Sequence, residues 1–271
     1  MLSNLLRNLP DGVKNLLFIN VLMYIGITVF PQFERSLMLY FYESTYFKPH
    51  QILTHLFMHA NFMHLLFNMF MLVMLGAQLE RFLGLKRFLI LYFAAGFGAS
   101  ILPMIFHYFE YSNIYEQVEF YKTTRSDEYF YSFLSDYFYP VSDYYSFEFK
   151  GEVADVVGKM KEGNPYSNSE VILERIYYSN LNTASLGASG CVMGVMAAFG
   201  YLWPNQEFRL LLPPISIPAK LYIPVIIFIE LFLGIANFQL DNVGHWAHIG
   251  GAIVGLCMVL YWNKYNRDSF Y

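Results

Sequence analysis

Charged residues are scarce in this chain of 271 residues. Asp, Glu, Lys and Arg make up 14% of it, whereas they make up about a quarter of a typical soluble domain. Hydrophobic residues account for 56% and aromatic residues for 20%. The shortage of charge excludes an ordinary soluble domain and indicates an integral membrane protein.

Cysteine is also scarce, and several binding motifs are missing. Both cysteines, Cys191 and Cys257, lie in apolar runs, so we expect them to pack in a core rather than form a disulfide. We find no internal repeat, no glycine-rich nucleotide loop and no basic stripe, so we expect no cofactor and no nucleic-acid partner. The first apolar run, Asn15 to Phe30, lacks the small-residue end of a cleavable signal, which predicts a retained span.

Long apolar runs are what the chain has in abundance. About 20 apolar residues cross a bilayer as a helix. Six segments are long enough: 15–31, 53–79, 86–106, 184–203, 217–236 and 243–263. They predict an all-α membrane protein, a bundle of six transmembrane helices. Helices 1–3 would lie in residues 1–106 and helices 4–6 in residues 183–271.

The segment 107–182, between the third and fourth predicted helices, has a different composition. It holds six basic and thirteen acidic residues, a net charge of −7, and thirteen of the 23 tyrosines. That aromatic content argues against a disordered linker. Ser167 and Glu170 have the spacing of a capping box before an apolar run, which predicts a helix start. We therefore predict an acidic, aromatic-rich insertion that is folded, partly helical and outside the bilayer.

Basic residues in the short loops predict the orientation. With six helices, the N-terminus, the second and fourth loops and the C-terminus share one side of the membrane. Nine basic residues lie on that side: Arg7, Lys14, Arg81, Lys86, Arg87, Arg209, Lys220, Lys264 and Arg267. Only Arg35 and Lys48 lie in the short loops opposite. We expect both termini in the cytoplasm and the insertion outside.

Ser189 lies in Gly187-Ala188-Ser189-Gly190, at the start of the fourth predicted helix. A helix that starts here directs free backbone N–H groups and a partial positive charge at Ser189, which suits an oxyanion formed beside it. Gly187 permits the backbone turn into this helix. Gly190 and Gly194 are four residues apart and give it a flat face for a close neighbour. The alternative is packing of small residues, with the serine hydroxyl bonded within its own helix.

His248 lies in the sixth predicted helix. Gly251 and Gly255 give this helix a flat face of its own, so it can pack closely on the helix that carries Ser189. An imidazole can take the serine proton and return it, and the hydroxyl needs such a base to act as a nucleophile. An ionisable residue at membrane depth is a hypothesis of function. The alternative is a histidine that bonds a helix carbonyl.

The second predicted helix supplies four more polar residues: His55, His59, His64 and Asn68. His64 and Asn68 are four apart and share one face, where an imidazole N–H and an amide can donate to an oxyanion. The alternative is hydrogen bonding between helices that fixes the bundle. His55 and His59 have zinc-ligand spacing, but the zinc-protease motif needs Glu after the first histidine, and Leu56 stands there. We therefore predict structural roles for these two and no metal.

Together and in this order, the motifs resemble those of the rhomboid intramembrane serine proteases, over all six predicted helices. The resemblance implies a short, central fourth helix and a water-filled cavity open to the outside. It implies Ser189 as nucleophile and His248 as general base, a dyad without aspartate. His64, Asn68 and the Ser189 backbone N–H would form the oxyanion hole. The expected activity is cleavage of transmembrane segments of other proteins through an acyl-enzyme, in a bilayer that we expect to be a bacterial inner (plasma) membrane.

Three features depart from the family's pattern. Many bacterial members carry Trp-Arg before the second helix, and His50-Gln51 stands here, which predicts a differently anchored loop. An aromatic residue often follows the serine by four, and here it is Met193, which orients an imidazole less strictly. The third external loop is usually short, and the insertion replaces it here. The insertion is then either a lid or docking surface beside the site, or an ornament of the lineage.

Two other functions deserve comparison with proteolysis. A catalytically silent relative that binds membrane clients usually lacks the serine or the histidine, and this chain keeps both. A small-solute transporter would have inverted repeats and broken helices at the midplane, and the chain has no detectable repeat. We therefore predict a serine endopeptidase.

Overall fold

The computed structural model describes residues 7–162, 168–209, 215–236 and 244–265, and these residues are predominantly helical. The first helices are α1 (Asp11–Val29), α2 (Glu34–Leu37), α3 (Gln51–Thr54), α4 (Phe62–Met71), α5 (Ala77–Leu83) and α6 (Leu85–Thr124). The later ones are α7 (Asp127–Tyr137), α8 (Phe147–Lys161), α9 (Ser169–Leu181), α10 (Ala188–Leu202), α11 (Ala219–Ala236) and α12 (His245–Tyr265). Strands β1 (Glu207–Arg209) and β2 (Ser216–Pro218) pair antiparallel between α10 and α11.

Within the described residues, five helical segments are long and apolar enough to cross a membrane: α1, the α4–α5 segment (Phe62–Leu83), α6, α11 and α12. They confirm the prediction of a helical, multi-pass membrane protein. The fourth predicted helix corresponds to α10, which has 15 residues. At 1.5 Å per residue it is about 22 Å long, shorter than a hydrocarbon core of about 30 Å. The count of six spans therefore stays a prediction.

The second predicted helix begins later than expected, at Phe62 instead of residue 53. Before it, α3 and a 3₁₀ turn (His55–Phe57) form a separate segment. Asn61 ends this break because its side chain accepts a hydrogen bond from the His64 N–H at 2.9 Å and caps α4. His55 and His59 thus precede the helix, and our placement of them in the second span was wrong. A π-helical turn (Leu72–Gly76) joins α4 to α5.

The third predicted helix is much longer than expected, because α6 runs through 40 residues. Its length is about 60 Å, roughly twice the hydrocarbon thickness. The boundary that we predicted at residue 106 lies inside this helix. Composition changes there, whereas the backbone stays helical, and Pro103 does not interrupt it.

A second group of buried residues, the insertion core, surrounds the far half of α6. It consists of Phe41, Tyr111, Ile114, Val118, Tyr121, Phe130, Phe133, Leu134, Phe138, Phe149, Val153, Val156, Met160, Ile172, Leu173, Ile176 and Leu181. The described residues of the segment 107–182 are therefore mostly helical and form a core of their own, while the position of the segment outside the bilayer stays a prediction. The predicted capping residue Ser167 lies outside the described residues, and α9 begins at Ser169.

The membrane core is the larger cluster, and its fully buried members include Leu56, Leu72, Leu79, Phe88, Leu91, Cys191, Val195, Ala198 and Val259. Within it, α10 packs directly on α12 through the two predicted glycine faces. A Cβ at Gly251 would overlap the backbone oxygen of Gly190, and one at Gly255 would overlap that of Gly194. This close approach fixes the relative position of the helices that carry Ser189 and His248.

Candidate active site

Ser189 and His248 are in direct contact although they are 59 residues apart in the sequence. The serine Oγ lies 2.7 Å from His248 Nε2. Ser189 is the second residue of α10 and His248 the fourth residue of α12. Both are partly buried, with 13% of the His248 side chain exposed. The structure thus brings together the two residues predicted to react, while their catalytic roles stay a prediction.

The chain that leads into α10 is held by backbone hydrogen bonds. Leu39 and Ser185 form a two-bond antiparallel bridge, with N···O distances of 3.1 and 2.7 Å. Gly187 then donates its N–H to the His55 carbonyl at 3.0 Å. A Cβ at Gly187 would lie 2.6 Å from His55 Nε2, so only glycine fits against this ring. These contacts place Ser189 at the first turn of α10, where its N–H has no acceptor within the helix.

Glu230, which we did not predict, contacts His248 on the ring nitrogen opposite Ser189. Its Oε2 lies 2.8 Å from His248 Nδ1 and 2.6 Å from His245 Nδ1. The carboxylate comes from α11 and both imidazoles from α12. Two signals in the sequence could have identified the group: a single acid in the middle of the apolar run of α11, and a histidine three residues before His248. An acid inside a membrane helix is a functional candidate by default.

His64 and Asn68 lie together on α4, a helix that contacts α10. The Ala60 N–H donates to His64 Nδ1 at 3.3 Å, so the other ring nitrogen, Nε2, carries the proton of the neutral ring. Asn68 Nδ2 is buried and has no hydrogen-bond partner among the described residues. Among the described residues, neither the His64 nor the Asn68 side chain forms a hydrogen bond with Ser189. Their role in an oxyanion hole therefore stays a prediction.

His55 is engaged at both ring nitrogens. Its Nδ1 lies 2.6 Å from the Gln51 carbonyl, and its Nε2 lies 2.7 Å from the Ser100 hydroxyl. His59 Nδ1 lies 3.2 Å from the Phe57 carbonyl, while its buried Nε2 has no partner among the described residues. Within the same residues, a different trio offers ligand atoms within 4.8 Å of one another: Glu230, His245 and His248. The spacing of metal ligands in the sequence points only to His55 and His59, not to this trio.

The residues that depart from the family's pattern have defined places. His50 Nε2 lies 2.7 Å from the Ser36 carbonyl, and buried Gln51 bonds the Lys48 N–H and the Tyr46 carbonyl at 3.0 and 2.9 Å. This pair therefore forms hydrogen bonds within the loop between α1 and α4, to Ser36, Tyr46 and Lys48. Met193 is buried in the membrane core.

The two cysteines differ in environment. Both are free, and Cys191 is buried in the membrane core as predicted. Cys257 is exposed on α12, so the packing role that we predicted for it was wrong. An apolar run in a membrane protein has one face toward lipid, and sequence alone did not tell us which residues occupy it.

Comparison with known proteins identifies the family of this chain. Residues 46–114 and 146–265 match the family profile described as "Rhomboid domain". Over 56 residues, 21% of its length, the chain is 38% identical to "RHOMBOID-like protein 6, mitochondrial" of Arabidopsis thaliana, and the aligned region spans only 18% of that relative. No solved structure matches the chain significantly. Because the profile matches well over half of its length, on both sides of residues 115–145, the chain belongs to the rhomboid family.

Proposed function

We propose that the chain is an intramembrane serine endopeptidase. The observation that carries the proposal is the 2.7 Å contact between the Ser189 hydroxyl and His248 Nε2. His248 would accept the serine proton as Oγ attacks a peptide carbonyl, and would return it to the leaving amine. Water would then hydrolyse the acyl-enzyme by the same proton transfers in the second half of the reaction.

The proposed oxyanion hole has three donors. The Ser189 N–H lies at the positive end of α10. His64 presents a protonated Nε2, because its Nδ1 already accepts from Ala60. Asn68 Nδ2 is a buried donor for which the described residues offer no partner. Such a donor is expensive to leave unsatisfied unless an incoming group uses it, and a developing oxyanion is such a group.

The proposed substrates are transmembrane segments of other proteins, reached within the bilayer. A regular helix hides its carbonyls in i to i−4 hydrogen bonds, so the cleaved segment must unwind locally. We also propose that both termini face the cytoplasm, as the distribution of basic residues favours, and that the membrane is a bacterial inner (plasma) membrane.

Loss of the hydroxyl at residue 189 tests the proposal. A fluorophosphonate probe should label the wild-type protein in detergent and in proteoliposomes, and Ser189→Ala should lose that label and all cleavage of a transmembrane reporter. Ser185→Ala is the matched control, because the bridge of Ser185 to Leu39 uses backbone atoms only. It should keep both signals.

The same experiment decides between an enzyme and a silent relative. Equal labelling of wild type and Ser189→Ala would overturn the assignment of the nucleophile. Client binding without any cleavage, unchanged by Ser189→Ala and His248→Ala, would favour a catalytically silent protein that binds membrane clients.

A further inference from the structure

We propose that Glu230 is a positioning residue that converts the Ser189–His248 pair into a Ser-His-Glu triad, and that His245 holds the Glu230 carboxylate in place. The inference rests on the proposed function. A triad differs from the dyad that the family resemblance implies, because the general base His248 then has a fixed partner, Glu230, on a third helix.

The hydrogen bonds determine the proton positions. An ionised carboxylate only accepts, so the 2.8 Å contact to Glu230 requires the proton of neutral His248 to be on Nδ1. The lone pair of Nε2 then faces the Ser189 hydroxyl at 2.7 Å. Without an acceptor at Nδ1, the ring could carry its proton on Nε2 and would be unable to act as a base. Glu230 therefore selects the reactive tautomer and ring orientation, as the acid does in serine protease triads.

Charge gives a second reason for this assignment. The imidazolium that forms when His248 takes the serine proton lies beside a fixed negative charge. That charge sits in an apolar helix with 17% of the side chain exposed, where an electrostatic contact is stronger than in water. The arrangement therefore stabilises the transition state more than the resting enzyme.

His245 accounts for how the carboxylate stays in place. It is three residues before His248, so both imidazoles leave α12 on the same side. Its Nδ1 lies 2.6 Å from the same Oε2, and 8% of its side chain is exposed. Glu230 is thus held by two imidazoles from α12, and only one of them touches Ser189.

The test compares the partly buried carboxylate of Glu230 with the buried carboxylate of Glu80. Glu80 is the matched control, because it also lies in a helical segment apolar enough to cross a membrane but accepts from the backbone N–H groups of Gly12 and Val13 at 2.8 and 2.7 Å. Glu230→Gln, Glu230→Asp, His245→Gln and Glu80→Gln would be placed in proteoliposomes. The rate constant kcat and KM would be measured separately with a quenched transmembrane reporter, and melting temperature would be measured for each variant.

We expect Glu230→Gln to lower kcat by about 100- to 10,000-fold with KM nearly unchanged, because an amide can donate to Nδ1 and so stabilise the wrong tautomer. Glu230→Asp should recover about tenfold or more of that loss, since it keeps the acceptor and the charge. His245→Gln should lower kcat by less than about tenfold, since Glu230 keeps its bond to His248. Glu80→Gln should lower the melting temperature and leave kcat within about twofold, because its partners are remote from the site.

Three outcomes would overturn the inference. The first is a kcat for Glu230→Gln within threefold of wild type. The second is a loss of kcat in Glu230→Gln that Glu80→Gln reproduces at equal melting temperature, since that would make both carboxylates structural. The third is inactivation of the wild type by a zinc chelator, with reactivation by zinc, which would make the trio a metal site. Failure of the proposed function would be seen separately, as reporter cleavage that persists in Ser189→Ala.

Discussion

The membrane core and the insertion core both bury aromatic rings, but among the described residues only the membrane core brings helix backbones together at glycines. In the membrane core, glycines let the backbones of α10 and α12 touch. In the insertion core, large rings fill the space, and Tyr121, Phe130 and Phe133 are almost fully buried. Lipid provides no hydrophobic drive between helices, so close contact of small residues must provide the attraction. Burial of aromatic rings drives folding in water. The contrast is what we expect if only the first core lies in lipid.

The charged residues of the two regions also differ in their surroundings. Around the insertion core, ion pairs such as Lys122–Glu174 at 2.7 Å are partly exposed to solvent, and pairs of this kind contribute little to stability. In the membrane helices, buried Glu80 accepts from two backbone N–H groups, and partly buried Glu230 contacts two imidazoles. Hydrogen bonds therefore satisfy both of these carboxylates.

The largest effect that we expect concerns Phe130, a fully buried ring of the insertion core. Phe130→Ala should destabilise α7, α8 and α9 by about 4 kcal/mol and leave α10 and α12 unchanged, because the two cores use different residues. Hydrogen exchange measured by mass spectrometry should show faster exchange in 127–161 and 169–181 and no change in 188–202 or 245–265. Phe147→Ala is the control, since that side chain is 91% exposed.

The exchange experiment could also show that the two cores unfold together. If Phe130→Ala accelerates exchange in α10 and α12 as much as in α7, the protein unfolds as one cooperative unit. The distinction between two cores would then be one of composition only.

A slightly smaller effect on stability is expected for Gly251→Ala, in the membrane core. The added methyl group would overlap the Gly190 backbone oxygen, which cannot move aside as a side chain can. We expect a loss of about 3 kcal/mol and a drop in fluorophosphonate labelling, because a displaced α12 carries His248 away from Ser189. Gly26→Ala on α1 is the control, since a Cβ there has no neighbour within 4 Å.

The measurements for Gly251→Ala are thermal unfolding in detergent and the rate of probe labelling. Equal values for Gly251→Ala and Gly26→Ala would show that α10 and α12 do not need this close contact. The glycine faces would then have no part in positioning the site.

The sequence predicted the contact of Ser189 with His248 because two glycine faces at four-residue spacing dictate a close pair of helices. It did not predict Glu230, because the partners of this acid depend on how α11 sits against α12, and a lone acid in an apolar run does not say which residues it contacts. The place of His55 and His59 was missed because apolar residues continue through the break at Asn61. The extent of α6 was missed because a change in composition at residue 107 was interpreted as a change in structure.

The smallest effect is expected when the insertion is removed. Tyr115 on α6 and Tyr177 on α9 have ring centroids 5.7 Å apart, so a short Gly-Ser loop can join the two helices in place of residues 116–176. The hydrogen bonds that hold Ser189, His248, Glu230 and the chain before α10 come from residues outside that range. Changes at distant sites that share no partners act independently. We therefore expect the deletion to keep fluorophosphonate labelling within about twofold of wild type. A tenfold loss of labelling would show that the insertion core supports the site, whereas retained labelling with altered choice among transmembrane reporters would identify the insertion as a surface for substrate recognition.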